Sequence, residues 1–546
     1  MTLIAVIALL LPGLAWWAWL GKREQDPLVS LAKIFGVSLS AIILLAEAAF
    51  ILDFAFSWLS VIIVLAIFGT LAVMGFIKHG VNRPGKQKYS LWIGLILFGS
   101  AIAFRLYQSR NLLLPNWVDS QHHYLIVKVI LERGGLPETL APYLSFPFYY
   151  HYGFHAVTAL FTAISGMEIG QAMLVFGQVL NASIGLSIYA LGVTLWDDWR
   201  PAAAAAMLVS FATRMPAYYL SWGRYTLTVG LVLLPLAMAL SLQIIRPSRR
   251  NGDFAALALL TAGVLLSHYF AAILFALFLV LLALVVLVPR LGKFWKALKA
   301  FYWVPAGAAL GFLMAAPWLW RVAQFSPGSA GVGVNLPESV GVVLEGSGRW
   351  DYIWQLLGPA SNHWLLLAAG IGVLIGMIQL KMVCFGLWSL LLAGLTLPWT
   401  FTLRPFRADH FAIVLFLPAA LWAGYLFWQA GHWLGKRLGQ RWLSGVLILG
   451  LVGGWIAWGL PLSTDIVNPV TVLVTEDDID ALDWVAENTP EDARFYINTA
   501  HWQSGMYRSV DGGGWLLPYT GRWSLVPTVF YGFSPDADYV RQIRDW

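Results

Sequence analysis

Long apolar stretches decide what this chain can become. They recur near residues 3–20, 28–50, 55–77, 90–107, 169–195, 201–220 and 225–245, and again near 254–268, 270–288, 301–320, 363–380, 383–400, 409–430 and 442–461. About 20 helical residues cross the hydrocarbon of a bilayer. The pattern therefore predicts an α-helical polytopic membrane protein with about 13–14 transmembrane helices over residues 1–461. Residues 462–546 form a different region. A composition of 59% hydrophobic and 11% charged residues, with a mean hydropathy of +0.71, excludes an ordinary soluble domain.

Charge is divided between the two regions. Residues 462–546 hold 13 of the 28 acidic residues and 5 of the 34 basic ones, so the tail is acidic and the membrane region basic. Most of the bases stand in short loops, as orientation by Lys and Arg requires, and say nothing of nucleic acid, which is not expected as a partner. Lys22-Arg23, Lys78 to Lys88, Arg246 to Arg250, Arg290 to Lys299 and Lys436 to Arg441 are assigned to the cytoplasmic face. Outer loops are then expected near 108–150 and 321–362, with the tail also outside. The expected location is the cytoplasmic (inner) membrane, multi-pass, with an extracytoplasmic tail.

Four apolar candidates lie between Asp119 and Arg246, near 147–165, 169–195, 201–220 and 225–245, where an odd number must cross. The first, short and opening Phe-Pro-Phe-Tyr-Tyr-His, is the one expected not to span. Residues 2–20 have no preceding basic region or following small-residue cleavage site, so they read as a retained span. Cys384 is the single cysteine, which excludes an intramolecular disulfide. In the tail, Glu476-Asp477-Asp478 opens an amphipathic helix through Glu487 and residues 494–498 alternate like a strand, predicting a small α/β domain. The chain stops at Trp546 inside what reads as a further helix, as it would if more sequence followed.

The polar interruption from Pro115 to His155 is where chemistry is expected. Asp119, His122 and His123 stand at i, i+3 and i+4 and would share one helical face. That set suits either a general base steered by imidazoles or a divalent metal site. The bland alternative is an interfacial helix with a polar outer face. His151 and His155 are also i, i+4, with spacing suited to a metal pair, but without the glutamate of His-Glu-x-x-His. They would equally serve as capping histidines of an aromatic interfacial helix. His268 stands between two spans and joins either the cluster or the packed core.

Arginines at the outer boundary are exceptions to positive-inside placement. Arg224 lies in Trp-Gly-Arg-Tyr-Thr, and Arg404 and Arg407 lie in Arg-Pro-Phe-Arg-Ala-Asp-His. A planar guanidinium can hold phosphate oxygens in pairs, so these are candidate lipid-phosphate ligands beside the alternative of snorkelling structural arginines. Arg214 fits either description. Gly512 to Gly514 lacks the Lys-Ser or Lys-Thr of a nucleotide P-loop, and Gly370-Ile-Gly372 lies in a span, where close helix packing is expected.

Asp119-Ser-Gln-His122-His123-Tyr, Tyr150-His151-Tyr-Gly-Phe-His155, Trp222-Gly-Arg224-Tyr225 and Asp511-Gly-Gly-Gly-Trp-Leu-Leu-Pro, in this architecture, resemble the GT-C membrane glycosyltransferases, including bacterial members. The likeness covers nearly the whole chain. It implies transfer of a sugar from a polyprenyl-phosphate-linked sugar donor to a glycan, lipid or protein acceptor outside the cytoplasmic membrane, with inversion. Asp119 matches the family's first-loop aspartate and would be the base. His122 and His123 would orient it, and Arg404 and Arg407 would steady the departing phosphate. Arg224, His151, His155 and His268 are the remaining candidate substrate-binding residues. A divalent ion (Mg, Mn or Zn) held by Asp119, His123, His151 and His155 is left open by the resemblance. The chain departs from the family in having one clear acid in this loop instead of a pair. A transporter or flippase of lipid-linked or polar solutes is the rival class. Transporters usually place ionisable groups at the midplane between related halves, and here no half repeats.

Overall fold

The computed structural model describes residues 1–20, 26–80, 88–246, 251–326, 347–378, 382–397, 406–502 and 505–545. Four helices open the chain: α1 (Thr2–Trp19), α2 (Pro27–Ile51), α3 (Trp58–His79) and α4 (Lys88–Gln108). Next come α5 (Trp117–Arg133), the antiparallel pair β1 (Thr139–Leu140) and β2 (Leu144–Pro147), and α6 (Gly153–Ser165). The following helices are α7 (Ile169–Trp196), α8 (Trp199–Phe211), α9 (Tyr219–Trp222), α10 (Tyr225–Ile244), α11 (Asn251–Ser267), α12 (Tyr269–Leu287), α13 (Phe294–Phe301) and α14 (Trp303–Phe325). The bundle ends with α15 (Ser347–Leu357), α16 (Ala360–Ile378), α17 (Val383–Thr396), α18 (Ala408–Ala412), α19 (Phe416–Arg437) and α20 (Arg441–Thr464). Among the described residues ten helical stretches are long and apolar enough to cross a membrane, and four shorter apolar helices accompany them. The protein is a multi-pass helical membrane protein.

Side-chain contacts fix how the central helices run. Beyond the end of α7, Asp197 pairs with Arg246 beyond the end of α10, Nη1 to Oδ1 2.8 Å. At its other end, Glu168 accepts a hydrogen bond from Tyr124 of α5 at 2.8 Å. Just before α10, Gly223 lies against Ser120 and Asn116, so close that a Cβ there would sit 2.4 Å from Ser120 Oγ. Thus α7 and α10 both start beside α5 and end together, and α8, which follows α7 in the chain, packs against α7 and α19. Helix α6 is different. It begins with His155 against His123 and is followed by Glu168 against Tyr124, so both its ends rest on α5. This helix, within the segment read from the sequence as not spanning, is one of the four shorter apolar helices.

Local sequence explains several boundaries. Asp26 caps α2 by accepting from the backbone N–H groups of Leu28 and Val29, with Pro27 at the first turn. Gly134 adopts φ +70° and stops α5 in a left-handed cap. Helix α1 is built into the bundle: Ser38 Oγ accepts the Gly13 N–H at 2.8 Å, and Trp16 Nε1 donates to Gly252 O at 3.2 Å.

The tail contains α21 (Glu476–Asn488), β3 (Arg494–Phe495), β4 (Thr499–His501), β5 (Tyr507–Ser509), β6 (Trp523–Ser524) and α22 (Ala537–Asp545). Its strands pair two by two, β3 parallel to β6 and β4 antiparallel to β5, and a capping box between Thr475 and Asp478 starts α21. Most of its apolar centre is shared with the membrane region. Trp515, Leu516, Leu517 and Phe530 belong to the same buried cluster as Tyr124, Leu125 and Phe148. Among the described residues, Val526, Tyr531 and Ile543 make a small separate cluster.

Of the two glycines read as packing residues, one does so. A Cβ on Gly372 would lie 2.3 Å from the Trp422 carbonyl oxygen, whereas Gly370 has open space. Gly372→Leu should therefore cost on the order of 1–3 kcal/mol by overpacking. Thermal unfolding in detergent checks this: Gly372→Leu should melt several degrees lower, and Gly370→Leu should melt like the parent.

Candidate active site

Helix α5 carries the centre of the site. Asp119 stands in its first turn, where a carboxylate meets the positive end of the helix dipole. Trp117 precedes it at φ +68°, a left-handed conformation that is unusual for a bulky residue and costs about 1–3 kcal/mol. The tail holds it there, with the Arg508 guanidinium 4.6 Å from the Trp117 ring and Trp502 edge-on at 5.5 Å. Asp119 itself is half-buried, with no salt bridge or hydrogen bond to its side chain among the described residues. Burial raises its pKa above the ordinary aspartate value of 3.8, and the positive charge of Arg224 opposes that rise.

The expected histidines converge here. His123 Nδ1 and His155 Nε2 share a hydrogen bond of 2.9 Å, and the His122 and His123 ring centres are 4.3 Å apart. His151 bonds Thr226 Oγ1 at 3.1 Å and lies 4.8 Å, ring to ring, from His268. Burial pushes His122 down to about 3, which makes it a neutral imidazole at physiological pH. His268 stands beside this cluster and its Nδ1 also caps α12, accepting the Phe270 N–H at 3.2 Å.

Several orphaned polar atoms meet in this region. Buried Nδ1 and Nε2 of His122, Nδ1 of His151 and His155, Nδ2 of Asn116, Nε of Arg224 and the Tyr225 hydroxyl have no hydrogen-bond partner among the described residues. Buried polar groups are nearly always paired, so such a concentration implies water or ligand between them. Arg224 stands opposite Asp119, makes no side-chain hydrogen bond among the described residues, and its charge also reaches His268 and Tyr150.

The late arginines behave otherwise. Arg407 is committed to Asp409 by two bonds, Nε to Oδ1 3.1 Å and Nη2 to Oδ2 2.7 Å. It remains near the site, because Tyr352 of α15 feels Arg407, Asp409 and Arg224 together. Arg404 lies outside the described residues. Arg214 donates to Gln355 O at 2.9 Å and stacks on Tyr218. Nor do the anticipated metal ligands Asp119, His123, His151 and His155 gather as a set: no group of three or more His, Cys, Asp or Glu able to hold a metal occurs among the described residues.

Two further aromatic residues line the site, neither among the expected site residues. Tyr150 stands with its ring 3.8 Å from His151 and its hydroxyl near Thr226. Phe530, from the tail, stacks on His122 with centroids 5.3 Å apart. Nothing local in Val-Phe-Tyr-Gly-Phe marks such a contact. Tyr150 lay inside the aromatic run before His151 and was legible as a neighbour.

Residues 6–545 match a model described as a family of unknown function, DUF6541. The chain belongs to that family. No curated protein matches it. Solved structures give a likeness of fold, all at low identity. The apo oligosaccharyltransferase of Archaeoglobus fulgidus has TM-score 0.53 and 11% identity over 84% of this chain and 69% of its own. The same enzyme with Zn and sulfate gives 0.50 and 12%, over 82% of this chain and 66% of that one. AglB from that organism, in complex with an inhibitory peptide and a dolichol-phosphate, gives 0.51 and 12% over 84% and 69%. The DUF6541 chain thus spans about two thirds of the archaeal enzyme's length, and its fold is GT-C-like.

The tail covers one wall of the site. Gln121 Nε2 donates to Ser509 Oγ at 3.0 Å, and Lys128 Nζ donates to the carbonyls of Pro518 and Tyr519 at 3.2 and 3.3 Å. Gly514 makes this approach possible, because a Cβ there would fall 2.0 Å from Ser509 Oγ and 2.3 Å from Gln121 Nε2. Gly514→Val should loosen the tail from α5. Limited proteolysis should then cut residues 462–545 several-fold faster than in the parent while the bundle stays protected.

Proposed function

We propose that this protein is a membrane glycosyltransferase that moves a sugar from a polyprenyl-phosphate donor to an acceptor on the outer side of the cytoplasmic membrane, with inversion. The observation that carries the proposal is the set of unpartnered buried polar atoms around Asp119 and Arg224, together with the charge of Arg224, unpaired among the described residues, acting on Asp119. An anion and a cation that face one another without pairing are arranged to act on something between them. The GT-C-like fold supports the reading, as does the archaeal neighbour's complex with dolichol-phosphate.

In this mechanism an acceptor hydroxyl attacks the anomeric carbon from the face opposite the phosphate. The new carbon–oxygen bond forms as the anomeric carbon–phosphate oxygen bond breaks, and the polyprenyl phosphate leaves with the bonding pair. Asp119 takes the hydroxyl proton. Arg224 meets the negative charge that grows on the leaving phosphate, an interaction strongest in the transition state. Neutral His122, His123, His151 and His155 supply hydrogen-bond donors and acceptors to sugar hydroxyls without adding charge. Arg407, already bound to Asp409, shapes the wall through Tyr352. No step is routed through a metal, because the described residues offer no ligand set for one. The acidic tail, docked on α5, supports its assignment to the outer side together with the active site.

A transporter would spread its polar groups along the path across the bilayer. The cluster instead lies at the end of α7 and α10 that touches α5, and this placement favours the enzyme.

Transfer is measured with lipid-linked sugars and purified protein in proteoliposomes. Asp119→Asn should lose at least about 100-fold in rate with unchanged melting, as loss of a general base does. Arg224→Ala should lose on the order of 100- to 1,000-fold. Wild-type turnover by Asp119→Asn would sink the base assignment.

The raised Asp119 pKa adds a pH test. The carboxyl is active only when ionised, so the rate should rise with pH through an acid limb lying above 3.8. Asp119→Asn should abolish that limb. His122→Gln should leave its position unchanged, since His122, held near 3, is already neutral there.

A further inference from the structure

A second cleft lies away from Asp119, between the β1–β2 connection and the tail. Its volume is about 650 Å³, within the range of roughly 300–1,000 Å³ usual for small-ligand sites. Trp523 and Tyr143 provide aromatic walls, and Glu491, Asp492, Arg494 and Arg522 provide the polar ones. The cleft is well fixed. The parallel β3–β6 ladder sets Arg494 opposite Trp523, with the guanidinium 5.7 Å from the ring centre. Arg522 is pinned by the carbonyls of Ala486, Thr489 and Thr520 at 2.7, 2.9 and 2.9 Å. On the facing wall, Tyr143 donates its hydroxyl to Glu132 at 2.9 Å and lies over the turn at Gly521.

The chemistry of this cleft selects a class of ligand. Two carboxylates against two guanidiniums leave no net charge, which disfavours a phosphate or a polycation. Glu491, Asp492 and Arg494 make no side-chain hydrogen bond or ion pair within the described protein, so acceptors and donors both face the opening. Flat aromatic faces combined with carboxylate and guanidinium groups suit a ring whose faces are C–H and whose rim is hydroxyl. We infer that this cleft is a saccharide-binding subsite for an uncharged glycan.

Its position gives the subsite a use. Lys128 of α5 touches both the tail carbonyls of Pro518 and Tyr519 and the Tyr143 ring. It stands nine residues along α5 from Asp119, or about 13 Å at 1.5 Å per residue. A glycan of several sugars is long enough to span a separation of that order. The inference does not rest on a role for Asp119 as base, since binding is read independently of transfer.

The test uses the full chain in nanodiscs on an array of neutral oligosaccharides, followed by calorimetric titration of the strongest hit. The parent should retain a subset of glycans. Trp523→Ala should weaken binding at least 10-fold. Because Trp523 lies in a strand, folding of that variant is checked by its melting temperature. The double variant Glu491→Gln with Asp492→Asn, at two exposed positions, should weaken binding likewise without touching the strand. Absence of glycan binding by the parent, equal affinity in the parent and a folded variant, or retention of peptides with no glycan would each overturn the inference.

Discussion

Polar side chains can collect in a membrane protein only where protein or water surrounds them, and every buried polar atom that lacks a partner costs about 1–3 kcal/mol. Among the described residues, seven such atoms, from Asn116, His122, His151, His155, Arg224 and Tyr225, meet around one place. Helix α5 brings Asp119, His122 and His123 between the ends of α7 and α10 and the docked tail, the β2–α6 connection adds His151, and the first turn of α6 adds His155. The remaining architecture holds α5 there. Tyr124 fastens it to Glu168, Gln121 to Ser509 and Lys128 to the tail carbonyls. Trp117 accepts a left-handed backbone under Arg508 and Trp502.

Much of this was legible in the sequence because membrane chains write polarity in large letters. The interruption at residues 115–155 stands out against apolar flanks, and i, i+3, i+4 spacing is sufficient to put Asp119, His122 and His123 on one face. The 147–165 segment, short and aromatic at its start, folds as the 13-residue α6, shorter than the ten helical stretches of membrane-crossing length among the described residues. Partnership was harder to read. Arg407 has Asp409 two residues away, and only the geometry at α18 shows that the two are paired. Arg224 has no such neighbour, and its charge instead acts on Asp119, more than 100 positions earlier. Phe530 reaches His122 across a still longer separation. The tail read as a domain because its composition changes at residue 462, yet its main apolar residues pack into the cluster that α5 belongs to.

The site and the tail cleft fit one economical scheme. A GT-C-like bundle would hold the lipid phosphate near Arg224, the reacting centre at Asp119, and the distal sugars along the tail beyond α5. Neutral imidazoles suit this task. A cationic histidine beside Asp119 would pull its pKa down and weaken it as a base, whereas burial keeps His122 uncharged and leaves the Asp119 carboxyl able to take a proton.

The most direct measurement follows the fate of a polyprenyl-phosphate-linked sugar in proteoliposomes, with released polyprenyl phosphate and glycosylated acceptor counted in the same sample. The expected result is release of one polyprenyl phosphate per sugar transferred, abolished by Asp119→Asn. Intact donor moving from one leaflet to the other without release, at the same rate in Asp119→Asn, would contradict the transferase reading and favour a flippase.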